Sequence, residues 1–142
     1  MNTQELKRRL NAEGCNSGLY IVGKPWAVTD VYCLTQVGRM WQVYYTERGQ
    51  NAPPIFESPD EAAACAFYFD LIMGLQHNHC VAVLRQKTAV HTLQALLTQH
   101  NIPSHTDKIP YGGWDDPRYR VFVTGKAIFA AKVVLGNVPI QD

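Results

Sequence analysis

The chain has 142 residues and a formal charge of +1, with 46% hydrophobic and 18% charged residues. That length and balance suit an ordinary globular protein, read as a single compact domain over 1–142, or as two small halves sharing a core. Near-neutral charge argues against a nonspecific nucleic-acid binder, and no apolar run approaches the roughly 20 residues that span a bilayer. The first ten residues are polar and amphipathic and lack the apolar segment of a secretory signal, so a cytoplasmic protein is expected. Cys15, Cys33, Cys65 and Cys80 are widely spaced with no C-x-x-C pair, which points to reduced thiols and away from a disulfide framework.

In chain order, Thr3 to Glu13 reads as a helix, with Leu6 and Leu10 on one face and Gly14 as the stop. Leu19–Val22 is a short strand, and Gly23, Pro25 and the residues around Trp26 form a loop. Asp30–Gln36 is a second strand, joined through Gly38 to a third that carries Trp41, Val43 and Tyr45 inward and Gln42, Tyr44 and Thr46 outward. So short a link predicts an antiparallel hairpin. Gly49 ends this strand just after Glu47 and Arg48, and 49–57 reads as loop.

Ser58-Pro59-Asp60-Glu61 predicts a helix start, with Ser58 capping, Pro59 at the first turn and Glu61 closing a capping box. Ala62, Cys65, Ala66, Phe69, Ile72 and Met73 form its expected apolar face, widened by Phe67, Tyr68 and Leu71. Cys80–Leu84 is a strand or the start of the next helix, and Thr88–His100 is a helix through Val90, Leu93, Leu96 and Leu97. Residues 109–117 are an aromatic, glycine-rich loop. Tyr119, Val121 and Val123 then alternate as a strand, Gly125 turns the chain, and Ala127–Leu135 is expected to be the last strand.

Sliding the chain by 87 residues places Leu6 on Leu93, Leu10 on Leu97, Tyr32 on Tyr119, Gly38 on Gly125 and Gly49 on Gly136. Helix, loop, strand, turn and strand fall in the same ungapped register, the pattern of an internal duplication of 1–57 and 88–142 joined by the helix at 58–76. The expected fold class is therefore α+β: antiparallel sheets packed against about three helices, as two diverged α-β-β-β halves.

His77, His79 and Cys80 cluster in sequence, but a structural zinc site needs four ligands in paired spacing, and no second cluster follows. A polar helix-to-strand connection is the expectation, with no metal and no cofactor. The chain has no Gly-x-Ser-x-Gly elbow, no phosphate loop and no dinucleotide fingerprint, so no catalytic residues and no enzyme are expected. Asp115 and Asp116 are adjacent carboxylates on a loop, better suited to capping or solvation than to paired acid–base work. Glu47 and Arg48 follow Tyr44 and Tyr45, and Trp114 lies beside Tyr111, Asp115 and Asp116. Aromatic residues beside charged ones are the mixture that dominates protein interfaces. Trp114 is either a plug closing one end of the core or an exposed anchor.

Helix, short strand, Asp30-x-Tyr32-Cys33-Leu34, glycine turn, Trp41-x-Val43-Tyr44-Tyr45-x-Glu47-Arg48-Gly49, loop, Phe56, then Asp60-Glu61-x-Ala63: this series, over about residues 1–75, resembles small bacterial immunity proteins of polymorphic secreted toxins and contact-dependent inhibition systems. Residues 76–142 depart from the short members of such a family and read as a diverged second copy or an added lobe. The resemblance implies a cytoplasmic inhibitor that binds one toxin domain, a nuclease or NAD-glycohydrolase, and blocks its active site. Its near-neutral charge leans toward the glycohydrolase or another less basic target. Tyr44, Glu47, Arg48, Tyr111, Trp114, Asp115 and Asp116 are the expected toxin-binding residues, with no nucleic acid, no membrane, and a monomer or weak homodimer. Two other readings stand beside it: a small enzyme or ligand-binding domain using the 109–117 loop, and a homo-oligomeric module joined through strand edges.

Overall fold

The computed structural model describes residues 1–24 and 30–142; the loop expected around Pro25 and Trp26 lies outside the described residues. The fold is α+β, with four helices and two multi-stranded sheets among the described residues. The chain divides into two compact units, Met1–Gln76 and His77–Asp142, each with its own core.

The first unit begins with helix α1 (Thr3–Ala12), capped by Asn2, whose side chain accepts a hydrogen bond from the Glu5 amide. Its two leucines, four residues apart, are fully buried, each worth about 2 kcal/mol of transfer free energy. A 3-10 turn (Ser17–Leu19) leads into β1 (Tyr20–Val22), which pairs parallel with β2 (Val31–Val37). A two-residue turn at Gly38-Arg39 joins β2 to β3 (Met40–Glu47) as the expected antiparallel hairpin. Val43 faces the helices with no exposure, and Trp41 and Tyr45 are half-buried beside it.

Three expectations in this unit are corrected. The segment after Gly49 is not all loop: β4 (Gln50–Asn51) and β5 (Phe56–Ser58) both pair with the free edge of β3. Helix α2 (Glu61–Met73) starts two residues later than expected. Ser58 belongs to β5, Asp60 is the cap accepting from the Ala62 amide, and Glu61 accepts from the backbone amide of Thr3 at 2.9 Å rather than closing a capping box. Its buried residues are Ala64, Cys65, Tyr68 and Ile72, while Ala62 and Ala66, expected on the apolar face, are exposed. The helix at 58–76 is thus part of the first unit's core and not a link between equal halves.

Both faces of the β2–β3 hairpin are buried. Leu34 and Val43 join α1 and α2 in one cluster, while Val31, Cys33 and Tyr44 form another on the opposite face. Tyr68 ties α2 to the sheet. Its hydroxyl accepts from the Ile21 amide at 3.1 Å and donates to the Tyr32 carbonyl at 2.7 Å, bridging the two parallel strands.

The second unit runs β6 (Asn78–Leu84), α3 (Lys87–Gln99), β7 (His105–Ile109), β8 (Arg118–Thr124), α4 (Ala127–Leu135) and β9 (Ile140–Gln141). Its sheet order is β7-β8-β6-β9, the split β-α-β arrangement, except that β9 lies parallel to β6. Val121 and Val123 of β8 pack with Val90, Leu93 and Leu97 of α3 and with Ile128 and Ala131 of α4. Residues 127–135 are therefore a helix and not the expected last strand. Ile128 and Ala131 are buried three residues apart while Val133 is 87% exposed, a helical period that alternation cannot produce.

This helix limits the 87-residue register. α1 and α3, β2 and β8, and the turns at Gly38 and Gly125 correspond, but β3 corresponds to α4. β1 is also parallel to β2, whereas β7 is antiparallel to β8. The repeat in the sequence does not extend to sheet topology.

Candidate functional site

The expected contact residues fall into two clusters, one in each unit, and one residue is misplaced. Tyr44 is only 6% exposed, packed on Val31 and Cys33, so it cannot be a surface anchor. Outward alternation failed here because the opposite face of the sheet is also covered. Glu47 and Arg48 are exposed at the hairpin tip. Arg48 and Gly49 are the two central residues of the β3–β4 turn, both at positive φ (52° and 80°), the mirror-image turn that suits the twist of a hairpin. A non-glycine residue there costs about 1 kcal/mol, and the Asp30 carboxylate braces it by accepting from the Arg48 amide at 3.1 Å. Beside this tip Tyr45, Glu47, Arg48, Gln50, Asn51 and Ala52 line a wide-mouthed depression of about 540 Å³.

The second cluster is built more firmly. Pro110–Pro117 links β7 to β8, and the loop is closed on itself: Gly112 donates to the Asp116 carbonyl at 2.9 Å, and the Asp116 amide to the Gly113 carbonyl at 3.1 Å. A Cβ on Gly112 would lie 2.5 Å from Asp116 Oδ2 and 3.1 Å from Asp116 Cβ, so a side chain there would push the Asp116 carboxylate aside. Arg118 is the brace. Its side chain is 8% exposed, it donates to Asp116 Oδ1 at 2.7 Å and to the Pro117 carbonyl at 3.1 Å, and its guanidinium lies 4.5 Å from the Tyr111 ring centroid. Lys108 places its ammonium 5.9 Å from the Trp114 ring.

On this scaffold Tyr111 and Trp114 are 70% and 67% exposed. Trp114 is an outward ring and not a plug. Asp115 is exposed too, and no hydrogen bond or ion pair engages it among the described residues. Sequence reasoning named Tyr111, Trp114, Asp115 and Asp116 but missed Arg118 and Lys108. A signal for Arg118 was present: it alternates with Tyr119, Val121 and Val123 and so stands on the other face of β8.

That face continues as Arg120 and Phe122. Arg120 forks onto Asp107, holding that carboxyl below its ordinary range, and lies 5.0 Å from the Phe122 ring, on which His105 stacks at 5.3 Å. His79 and Cys80, expected in a polar connection, are instead successive residues of β6 and point to opposite faces. Burial raises the thiols of Cys15, Cys33, Cys65 and Cys80 above the ordinary cysteine range, which suits inert side chains better than nucleophiles. Among the described residues no group of three His, Cys, Asp or Glu side chains gathers at metal-binding distance. No described helix is long and apolar enough to cross a membrane.

A cleft of about 140 Å³ beside the loop is lined by Val83, Arg85, Tyr111, Arg118, Gln141 and Asp142. It is smaller than the roughly 300–1,000 Å³ typical of small-molecule sites, so the loop is better shaped to project than to enclose. Comparison of the chain with known protein families, with curated proteins and with solved structures returns no match.

Proposed function

We propose that this chain is an immunity protein: a cytoplasmic inhibitor that grips one cognate toxin domain by direct contact and carries out no chemistry itself. The observation that carries this reading is the Tyr111–Asp116 loop. It exposes two large aromatic rings while a buried arginine, paired to Asp116, holds it in one conformation. Free aromatic area is costly to leave in water, and a braced loop loses little conformational freedom on binding, so such a surface suits tight protein contact. The Glu47–Arg48 tip offers a second contact of the same mixed type, and the resemblance of the Trp41–Gly49 strand to immunity proteins supports a toxin as the partner.

This reading expects a toxin-encoding frame immediately upstream, and co-expression with its product is the test. The proposal expects rescue of growth and copurification of the two chains. Trp114→Ala should weaken the complex at least about tenfold with almost no change in melting temperature. A toxin that still kills, or that fails to copurify, rejects the reading.

A further inference from the structure

We propose that the Tyr111–Asp116 loop recognises an arginine side chain of its protein partner, with the Trp114 ring as stacking face and the Asp115 carboxylate as counter-charge. This rests on the protein-partner reading above and adds the chemistry of the contact. Both rings of the loop already attract a cation of this chain: Lys108 at Trp114, 5.9 Å from the centroid, and Arg118 at Tyr111, 4.5 Å away. The ring quadrupole that draws these groups acts on both faces of a ring. Trp114 is 67% exposed, so most of the residue's surface is available to a second group.

The two acids of the loop divide the work. Asp116 is committed to Arg118 at 2.7 Å, and Asp115, next in sequence to the indole, has no such partner among the described residues. The loop thus carries an exposed π surface and, on the next residue, a carboxylate with no partner among the described residues. A guanidinium matches both at once, because it is planar and weakly hydrated enough to stack, and its fork donates two hydrogen bonds to one carboxylate. An ammonium matches the charge but not the plane. Lys108, 5.9 Å from the indole, opposes a second cation there, and recognition needs Asp115 to offset it at contact distance, where Coulomb energy is largest. The brace from Arg118 and the Gly112–Asp116 hydrogen bonds set the geometry beforehand.

The experiment is a titration of the full chain with the blocked peptide acetyl-tetra-arginine amide, following the Trp114 indole N–H resonance at low salt. Tetra-lysine and tetra-glutamate peptides serve as comparisons. A saturable shift is expected with the arginine peptide, several-fold weaker with lysine, and absent with glutamate. Trp114→Ala and Asp115→Asn should each weaken binding by about tenfold, measured for Trp114→Ala by calorimetry, and 0.5 M salt should weaken it likewise. Equal binding of all three peptides, or arginine binding untouched by both substitutions, overturns the proposal. The toxin complex separates the two readings. If the toxin binds but neither substitution moves its affinity, the arginine contact is wrong and the inhibitor reading stands. If the peptide behaves as expected and the toxin does not bind, the reverse holds.

Discussion

Tyr68→Phe removes a single oxygen atom and leaves the ring that fills the first unit's core. The hydroxyl it deletes sits between two parallel strands, accepting from the Ile21 amide and donating to the Tyr32 carbonyl, on a residue with no exposure. Each such bond contributes about 1 kcal/mol net, and a donor left without a partner costs about 1–3 kcal/mol more. Because β1 is half-buried and water can reach part of it, the expected loss is about 2–3 kcal/mol. For a unit of this size a urea m-value on the order of 1–1.5 kcal/mol/M turns that loss into a midpoint shift of roughly 2 M. Urea unfolding followed by tyrosine and tryptophan fluorescence measures the shift, and amide exchange locates it: the Ile21 amide should lose protection while the amides of the second unit keep theirs. A midpoint moved by less than about 0.5 M, with Ile21 still protected, would refute the bridging role. The same hydroxyl has a pH signature. Burial raises its pKa above the ordinary tyrosine value, so its contribution is complete below about pH 10 and is lost as pH rises and the unfolded chain ionises first. Tyr68→Phe should flatten the alkaline end of the stability profile.

Other outcomes follow from the same structure. Gly112→Ala should displace Asp116 and release Arg118, seen as loss of the Tyr111–Arg118 contact in ring chemical shifts; unchanged shifts would mean the loop absorbs the methyl group. On α4, Ile128→Ala should cost about 2–4 kcal/mol and Val133→Lys almost nothing, since the first is 5% and the second 87% exposed; equal effects would argue for a strand at 127–135. The Glu5 carboxyl, hydrogen-bonded by Arg8 and then Arg9, should titrate at about 2. The native state then holds fewer protons than the unfolded chain, so this small contribution is present above about pH 4.5 and fades as pH falls toward 2. Glu5→Gln should remove that part of the acid dependence of α1, read from helix amide exchange.

Local chemistry alone determined much of the molecule. The two-residue period of Trp41–Tyr45, the glycine turn at 38 and the leucine spacing of α1 and α3 depend on neighbours within a few residues, and those elements stand where they were expected. That 109–117 is a loop was legible for the same reason, since glycine pairs and prolines exclude regular structure, but whether Trp114 plugs the core or faces solvent was not. Tertiary structure decided the rest. Ala127–Leu135 is apolar enough to serve either period, and only packing of Ile128 and Ala131 on β8 selects a helix. Whether Tyr44 meets solvent depends on what lies over the far face of its sheet, which no strand encodes by itself. Arg118 became the brace of the loop because β7 and β8 bring Tyr111 and Asp116 around it: a charged side chain can be buried only where acceptors converge, and that convergence exists only once the chain has folded.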